Sequence, residues 1–226
     1  MSRRGAGQIA YVLAAVAGYE LARRSLHPSW GVAARHARGV LGLEHRLGIA
    51  WEAPLQHALA PVAAPLAVVY LAAQFGVTAV FFLWLYRRAP DLYPRFRDAF
   101  VLATTLALVV QWRYPVAPPR LVGLHDSVAS LLHVSVGSVT DPLAAMPSLH
   151  VGWAIGVGAG VWRRSRAFAL GYPALVTVAT LATGNHFVLD ACAGIAVMAS
   201  GFALAQVLDR THGATLLAAT RGGAVR

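Results

Sequence analysis

Lysine is absent, cysteine occurs once, and acids are scarce. All 19 basic residues are arginine, set against only 9 Asp and Glu, and the formal net charge is +10. Charged residues make up 12% of the 226, half of the ~25% usual in a soluble domain. That leaves too little polar surface to face water on every side, and lipid is the simplest solvent that fits. The single Cys192 excludes an intramolecular disulfide and any CxxC or Cys/His metal pattern. It lies in an apolar run and is expected to pack as a small hydrophobe. No internal repeat is visible, which argues against a transporter built from duplicated halves. The arginines form short clusters between apolar runs instead of one solvated stripe. They therefore read as topology signals and as contacts to anionic lipid or phosphate, not to nucleic acid. An all-arginine chain rich in Ala, Gly, Val and Leu also suggests a GC-rich bacterial coding sequence.

Apolar residues are abundant: 58% of the chain is hydrophobic and the mean hydropathy is +0.58. Six apolar runs can be read, at about 7–22, 60–86, 97–113, 148–162, 167–183 and 186–208. A helical span needs about 20 apolar residues and at least about 17, so the first and fourth runs are short. The first also reads as a signal peptide behind Arg3 and Arg4, although Glu20 and Arg23–Arg24 make a poor cleavage context. Residues 27–58 mix Leu, Val, Ile and Trp with Arg, His and Glu at rough helical spacing. They are expected to form one or two amphipathic helices on the membrane interface, the alternative being a soluble loop with some helix. The expected fold is all-α: a polytopic membrane helical bundle with six transmembrane helices and an amphipathic interfacial segment, in one domain over residues 1–226.

Finer signals support that layout. The GVGAG at 156–160 follows no strand and is not a nucleotide loop. Gly152, Gly156 and Gly160 repeat every four residues and make a smooth stripe for close helix packing. Trp30, Trp51, Tyr93 and Trp112 fall near run ends, where an aromatic belt would sit. With the N-terminus inside, the inner segments hold 12 arginines and the outer segments 7, so the positive-inside rule places the 114–147 loop outside.

Three polar segments then share the outer face. Arg113-Tyr-Pro-Val-Ala-Pro-Pro-Arg120 ends the third span, Met146-Pro-Ser-Leu-His150 opens the fourth, and Gly184-Asn-His-Phe-Val-Leu-Asp190 opens the sixth. His186 and Asp190 stand at i and i+4, on one helix face. A carboxylate beside an imidazole fixes its tautomer and stabilises its cation, which is half of a nucleophile or base unit. An aspartate within an apolar span costs roughly 2.5–3.5 kcal/mol, so function is its default reading; the plain alternative is a helix-locking pair. His150 follows Pro147-Ser148 at a helix start, where free amides attract anions. Arg113 and Arg120 offer guanidinium forks that match phosphate oxygens, or they meet lipid headgroups. Each signal is weak alone, and their conjunction at one face points to phosphate-ester chemistry.

These residues resemble the type 2 phosphatidic acid phosphatase (PAP2) superfamily, whose signature runs K-x6-R-P, then P-S-x-H, then S-R-x5-H-x3-D. Arg113 stands at the lysine, Arg120 at the arginine, and Leu121 replaces the usual proline. Pro147-Ser148-Leu149-His150 matches the second part, and His186 with Asp190 matches the third. Ala179 and Thr180 occupy the Ser-Arg positions, so one phosphate-binding arginine is missing. The wording of APPRL, AAMPSLHVGWA and TGNHFVLDACAG resembles the inositolphosphotransferase branch, which includes the inositol phosphorylceramide synthases. The resemblance covers about residues 60–210. It implies that His186 attacks phosphorus, Asp190 orients it and His150 shuttles the proton. Arg113, Arg120 and Ser148 would hold the phosphoryl oxygens. It implies no metal or other cofactor.

Tyr70, Gln74, Glu44, His45, Asp126 and Asp141 are further candidates for headgroup recognition. The expected partners are a lipid phosphate or phospholipid substrate and the surrounding membrane lipids, with no nucleic acid. The expected place is the bacterial plasma membrane, with the active site facing outward. A non-catalytic headgroup binder or carrier, and a purely structural membrane protein, are the competing classes. In the structural case the Arg, His and Asp groups would not converge.

Overall fold

The computed structural model of the chain describes residues 28–132 and 143–222, with a few positions between 7 and 22. The expected first span and Asp141 therefore lie largely or wholly outside the described residues. Helix α1 covers Trp30–Leu47 and α2 covers Glu52–Ala58. A short 3-10 turn (Ala60–Val62) leads into α3 (Ala63–Ala72), a π-helical turn (Ala73–Val77) and α4 (Thr78–Arg88). Next come α5 (Tyr93–Arg113), a 3-10 turn (Pro119–Leu121) and α6 (Ser127–Leu132). Helices α7 (Leu149–Val161), α8 (Arg166–Ala182) and α9 (Val188–Gly222) complete the order. Among the described residues the only β pairing is one isolated bridge, Val116 to Ala144, so the all-α expectation holds.

Local chemistry sets the ends. Ser148 and Ser165 cap α7 and α8 by accepting from the backbone N–H of Val151 and Phe168. Gly48 ends α1 at φ 70° and donates to the Glu44 and His45 carbonyls, the left-handed stop that a glycine adopts at no steric cost. The amphipathic reading of 27–58 resolves into two helices separated by that stop.

Helix α9 runs along α5 and α7, while α8 packs on α7, α3 and α2. One core cluster fills the bundle, with Phe81, Leu85, Phe96, Phe100, Val157 and Met198 at its centre. A second joins Ala33, Ala37 and Val40 of α1 to Val116, Ala117, Ala145 and Phe187. This second cluster lays α1 across the loops that carry the polar segments.

The glycine stripe is a contact surface. A Cβ built on Gly152 would lie 2.8 Å from the Gly194 carbonyl oxygen, and one on Gly156 would meet the Phe100 ring. On the opposing helix, a Cβ at Gly194 would overlap the Ser148 carbonyl. Helices α7 and α9 thus touch backbone to backbone at the level of Ser148. Cys192 departs from expectation, because it is exposed; its position on α9 turns it away from the protein interior.

The helices do not by themselves establish six spans. By length and composition, one described helix, Val188–Arg210, is able to cross a membrane alone. Glu52–Ala58 and Ala60–Ala72 pass that test only as a pair bent by 72°. Helix α7 has 13 residues, about 20 Å at 1.5 Å per residue, against a hydrocarbon core of about 30 Å.

The Gly194 contact gives a stability test. Gly194→Ala must push two backbones apart and is expected to cost about 1–3 kcal/mol. Gly171→Ala, where nothing lies within 4 Å, is expected to be neutral or stabilising by up to about 1 kcal/mol. Thermal unfolding of the two purified variants in detergent checks both.

Candidate active site

The start of α9 organises the site. Asp190, fully buried, reaches back three residues and accepts from the Phe187 N–H through Oδ2 at 2.8 Å. That is the reciprocal half of a capping box. Phe187 has no side-chain oxygen to supply the other half. The next two amides are instead met from elsewhere: Val188 N–H donates to Glu52 Oε1 at 2.8 Å and Leu189 N–H to Glu44 Oε1 at 2.7 Å.

This clamp fixes His186, one residue before the helix. Its Nδ1 lies 2.9 Å from the Ala145 carbonyl oxygen and 3.5 Å from Asp190 Oδ2. A carbonyl can only accept, so Nδ1 is assigned the proton and Nε2 keeps its lone pair. The nearer orienting partner is thus a backbone oxygen of the loop before α7, with Asp190 behind it. Asp190 Oδ1 is buried without a hydrogen bond among the described residues. It remains an acceptor held close to an imidazole.

The three polar segments meet here. Ser148 N–H donates to the Asp190 carbonyl at 2.9 Å, joining the second segment to the third. Arg120 N–H donates to the Gly184 carbonyl at 2.8 Å, joining the first to the third. The His150 and His186 rings lie 5.6 Å apart, centroid to centroid. Tyr70 stacks on His150 at 4.3 Å and its carbonyl accepts a hydrogen bond from that imidazole. The π-helical turn that follows Tyr70 holds the half-buried Gln74.

Arg120 is the cation of the site. Its side chain is only 4% exposed. Its guanidinium donates to Asn185 Oδ1 and lies 3.3 Å from Asp126 Oδ2 through Nε. Burial pulls its pKa down from the ordinary arginine value, and Tyr70 and Asp126 pull it back up. Asp126 is also tied to the Ala129 N–H. Arg113 is placed differently. It is exposed at the end of α5, with its guanidinium 5.7 Å from the Trp112 ring centroid.

Thr180, in the place of the missing arginine, is fully buried, and its hydroxyl donates to the Thr177 carbonyl. Packing has closed that position. His45 is exposed and lines, with Glu52, Pro119 and Phe187, a cavity of about 200 Å³ beside the site. Glu44 is not open to that space; it is fully buried under α9. Sequence reading passed over Asn185, Glu52 and the Ala145 carbonyl. Asn185 sits inside a segment already singled out, and Glu52 is an acid in a helix otherwise rich in apolar residues. A backbone carbonyl leaves no signal in a sequence.

The arrangement offers a free imidazole nitrogen, a second imidazole and a buried guanidinium at one end of the bundle. Comparison with known proteins agrees with that chemistry. A family profile described as PAP2 superfamily matches residues 38–204, well over half of the chain, and the chain belongs to that superfamily. Membership supports phosphatase or phosphotransferase activity. No curated protein and no solved structure matches the chain.

Asn185 holds the guanidinium in place. A hydrogen bond to a charged group contributes about 1.5–3 kcal/mol, so Asn185→Ala is expected to weaken inhibition by orthovanadate about 10- to 100-fold. Inhibition constants of the variant and the parent decide this; an unchanged constant would mean that Asn185 does not bear on oxyanion binding.

Proposed function

We propose that the protein is a membrane-embedded enzyme that breaks or transfers a lipid phosphate ester at the extracytoplasmic face, through a phosphohistidine. The observation that carries this reading is His186: its Nδ1 is anchored to the Ala145 carbonyl, which leaves Nε2 as a nucleophile beside His150.

Nε2 of His186 attacks phosphorus, and the N–P bond forms as the P–O bond to the leaving group breaks. His150 enters this step as the imidazolium: one N–H stays on the Tyr70 carbonyl and the proton of the other nitrogen goes to the departing oxygen. It then takes a proton from water or from an alcohol, whose oxygen attacks phosphorus and releases His186. Asp190 balances the positive charge that His186 carries while phosphorylated. Arg120 and Ser148 hold phosphoryl oxygens, and Arg113 takes part if it swings in from its exposed position. Positioned charge is what this transition state needs.

Membrane embedding is supported by composition and by large apolar side chains exposed on several helices. Leu170 and Leu175 on α8, and Ile195, Leu204 and Val207 on α9, are all exposed. The outward orientation is supported by the opposite end of the same bundle. There Arg87 and Arg88 end α4, and Arg163 and Arg164 follow α7. Such arginine clusters favour the cytoplasm.

The closed position at Thr180 supports a substrate of lower charge. A phosphodiester monoanion needs fewer cations than a monoester dianion, which favours transfer of a phospho-headgroup in the manner of the inositolphosphotransferases. The likeness in motif wording supports the same branch.

The test incubates purified protein with radiolabelled phosphatidic acid, a prenyl phosphate and phosphatidylinositol, with and without ceramide or another alcohol. Turnover with an acid-labile phosphoprotein is expected. His186→Gln should lower turnover by about 10³-fold or more. Headgroup binding that survives His186→Gln, with no turnover by the parent, would identify a carrier instead. A strong preference for the monoester would count against the diester reading.

A further inference from the structure

We propose that Glu44 and Glu52 form one clamp, a carboxylic acid hydrogen-bonded to a carboxylate, and serve as positioning residues for His186 and Asp190. The proposal rests on the enzymatic reading above for its catalytic consequence and on geometry for the clamp itself.

The two glutamates come from different helices, α1 and α2, and both are buried. Their Oε1 atoms take consecutive amides of α9, Leu189 and Val188. Asp190 takes the amide just before, Phe187. Three carboxyl groups therefore converge on one helix start. Its partial positive charge, equivalent to about half an elementary charge, cannot balance three buried anions. One carboxyl then carries a proton; Glu44 and Asp190 each have a buried oxygen without a donor among the described residues, and Glu44 is the one set against a second carboxyl, Glu52. Glu44 Oε2 is buried and finds no donor among the described residues, its Oε1 is taken by the Leu189 amide, and the Glu44 side chain is a hydrogen-bonding neighbour of the Glu52 side chain. An acceptor facing an acceptor is repulsive. A hydroxyl facing an acceptor is a hydrogen bond. Protonated Glu44 donates to Glu52 through Oε2 and still accepts from Leu189 through Oε1, so both of its oxygens are matched.

The surroundings agree. Burial, foremost, and the neighbouring Glu52 and Asp190 raise the Glu44 pKa to about 8, against the lowering effect of the Leu189 amide. The titratable groups facing Glu44 are Glu52 from α2 and Asp190 from α9. The loop residues packed on the same side of α1, Val116, Ala117 and Ala145, are apolar. His45 stands next to it on α1 but is exposed.

The clamp acts through α9. When Glu44 ionises, the hydrogen bond to Glu52 is lost and a second anion faces it. The helix start loosens, and with it the 2.9 Å contact that aims His186. Turnover should therefore fall as pH rises through about 8, the value at which Glu44 loses its proton. Glutamine reproduces the protonated acid, with an amide N–H toward Glu52 and an oxygen toward Leu189.

The experiment measures kcat and KM against pH on the radiolabelled lipid that the parent turns over, for the parent, Glu44→Gln, Glu44→Ala and Glu52→Ala. Either alanine variant should lower kcat about 10-fold with KM within about twofold, because substrate contacts are untouched. Glu44→Gln should recover most of that loss and move the alkaline limb up by at least about one pH unit. An alkaline limb left in place in Glu44→Gln overturns the proposal, as does a loss in Glu44→Gln as deep as in Glu44→Ala. Two readings need no turnover. The infrared band of a protonated carboxylic acid at neutral pH should vanish in Glu44→Gln. Native Glu44 holds a proton that the unfolded chain releases, so the sign of linkage is fixed. Relative to Glu44→Gln, the parent should lose stability as pH rises from about 4.5 to about 8 and level off above that. If the parent turns over none of the lipids, the enzymatic reading fails. These two readings then decide the clamp alone, and absence of both effects overturns it.

Discussion

Three successive amides at the start of α9 need acceptors, and the site is built from the way they get them. A helix N-terminus leaves its first N–H groups without intrahelical partners. Serine or threonine usually answers from the capping position, but here that position is Phe187, whose ring belongs to the apolar cluster under α1. The acceptors have to come from Asp190 within the helix and from Glu52 and Glu44 outside it. That requirement draws α1 and α2 over α9. It also buries Asp190 beside His186 and turns a capping problem into a fixed imidazole.

The second constraint is close backbone approach. Ser148 and Asp190 are joined main chain to main chain, which is possible only because Gly152 and Gly194 carry no Cβ where α7 and α9 touch. In the proposed membrane setting little hydrophobic force holds helices together, and small residues let packing and weak polar contacts do so. The same glycines therefore stabilise the bundle and set the spacing between His150 and His186. Packing and chemistry share one set of residues, so a change at the helix contact reaches the site without touching a polar group.

Much of this was legible in the sequence. The P-S-x-H and H-x3-D spacings singled out Ser148, His150, His186 and Asp190, which the structure brings together, because each spacing lies at the start of one helix, where geometry is local. The glycine stripe was legible for the same reason. The contacts of Glu44 and Glu52 with α9 were not, since their partners lie more than 130 positions away; Glu44 reads in the sequence as a headgroup ligand, and Glu52 carries no signal. His186 has Asp190 beside it as expected, and a second, closer partner, the Ala145 carbonyl, that a sequence cannot show. The span count, too, is not established by the helices alone. Apolar runs mark where helices form, but helix ends are set by caps and turns, and α7 stops after 13 residues.

In the proposed enzyme, charge around the site limits what it holds. Arg120 is buried but already shared with Asn185 and Asp126, Arg113 stands outside, and the place of a third arginine is filled by Thr180. Against these lie Asp190, Glu52 and a neutral Glu44 behind the nucleophile. Had Glu44 been ionised, the field at His186 would oppose an approaching phosphate. Protonation removes that term while keeping the hydrogen bond to α9. A site with little free positive charge and a suppressed negative background is the reason the proposed substrate is a singly charged ester and not a dianion. It also suits an attack in which positive charge develops on His186 next to Asp190. The clamp and the missing arginine are thus two parts of one electrostatic arrangement: with fewer cations to offset them, one of the buried acids has to stay neutral.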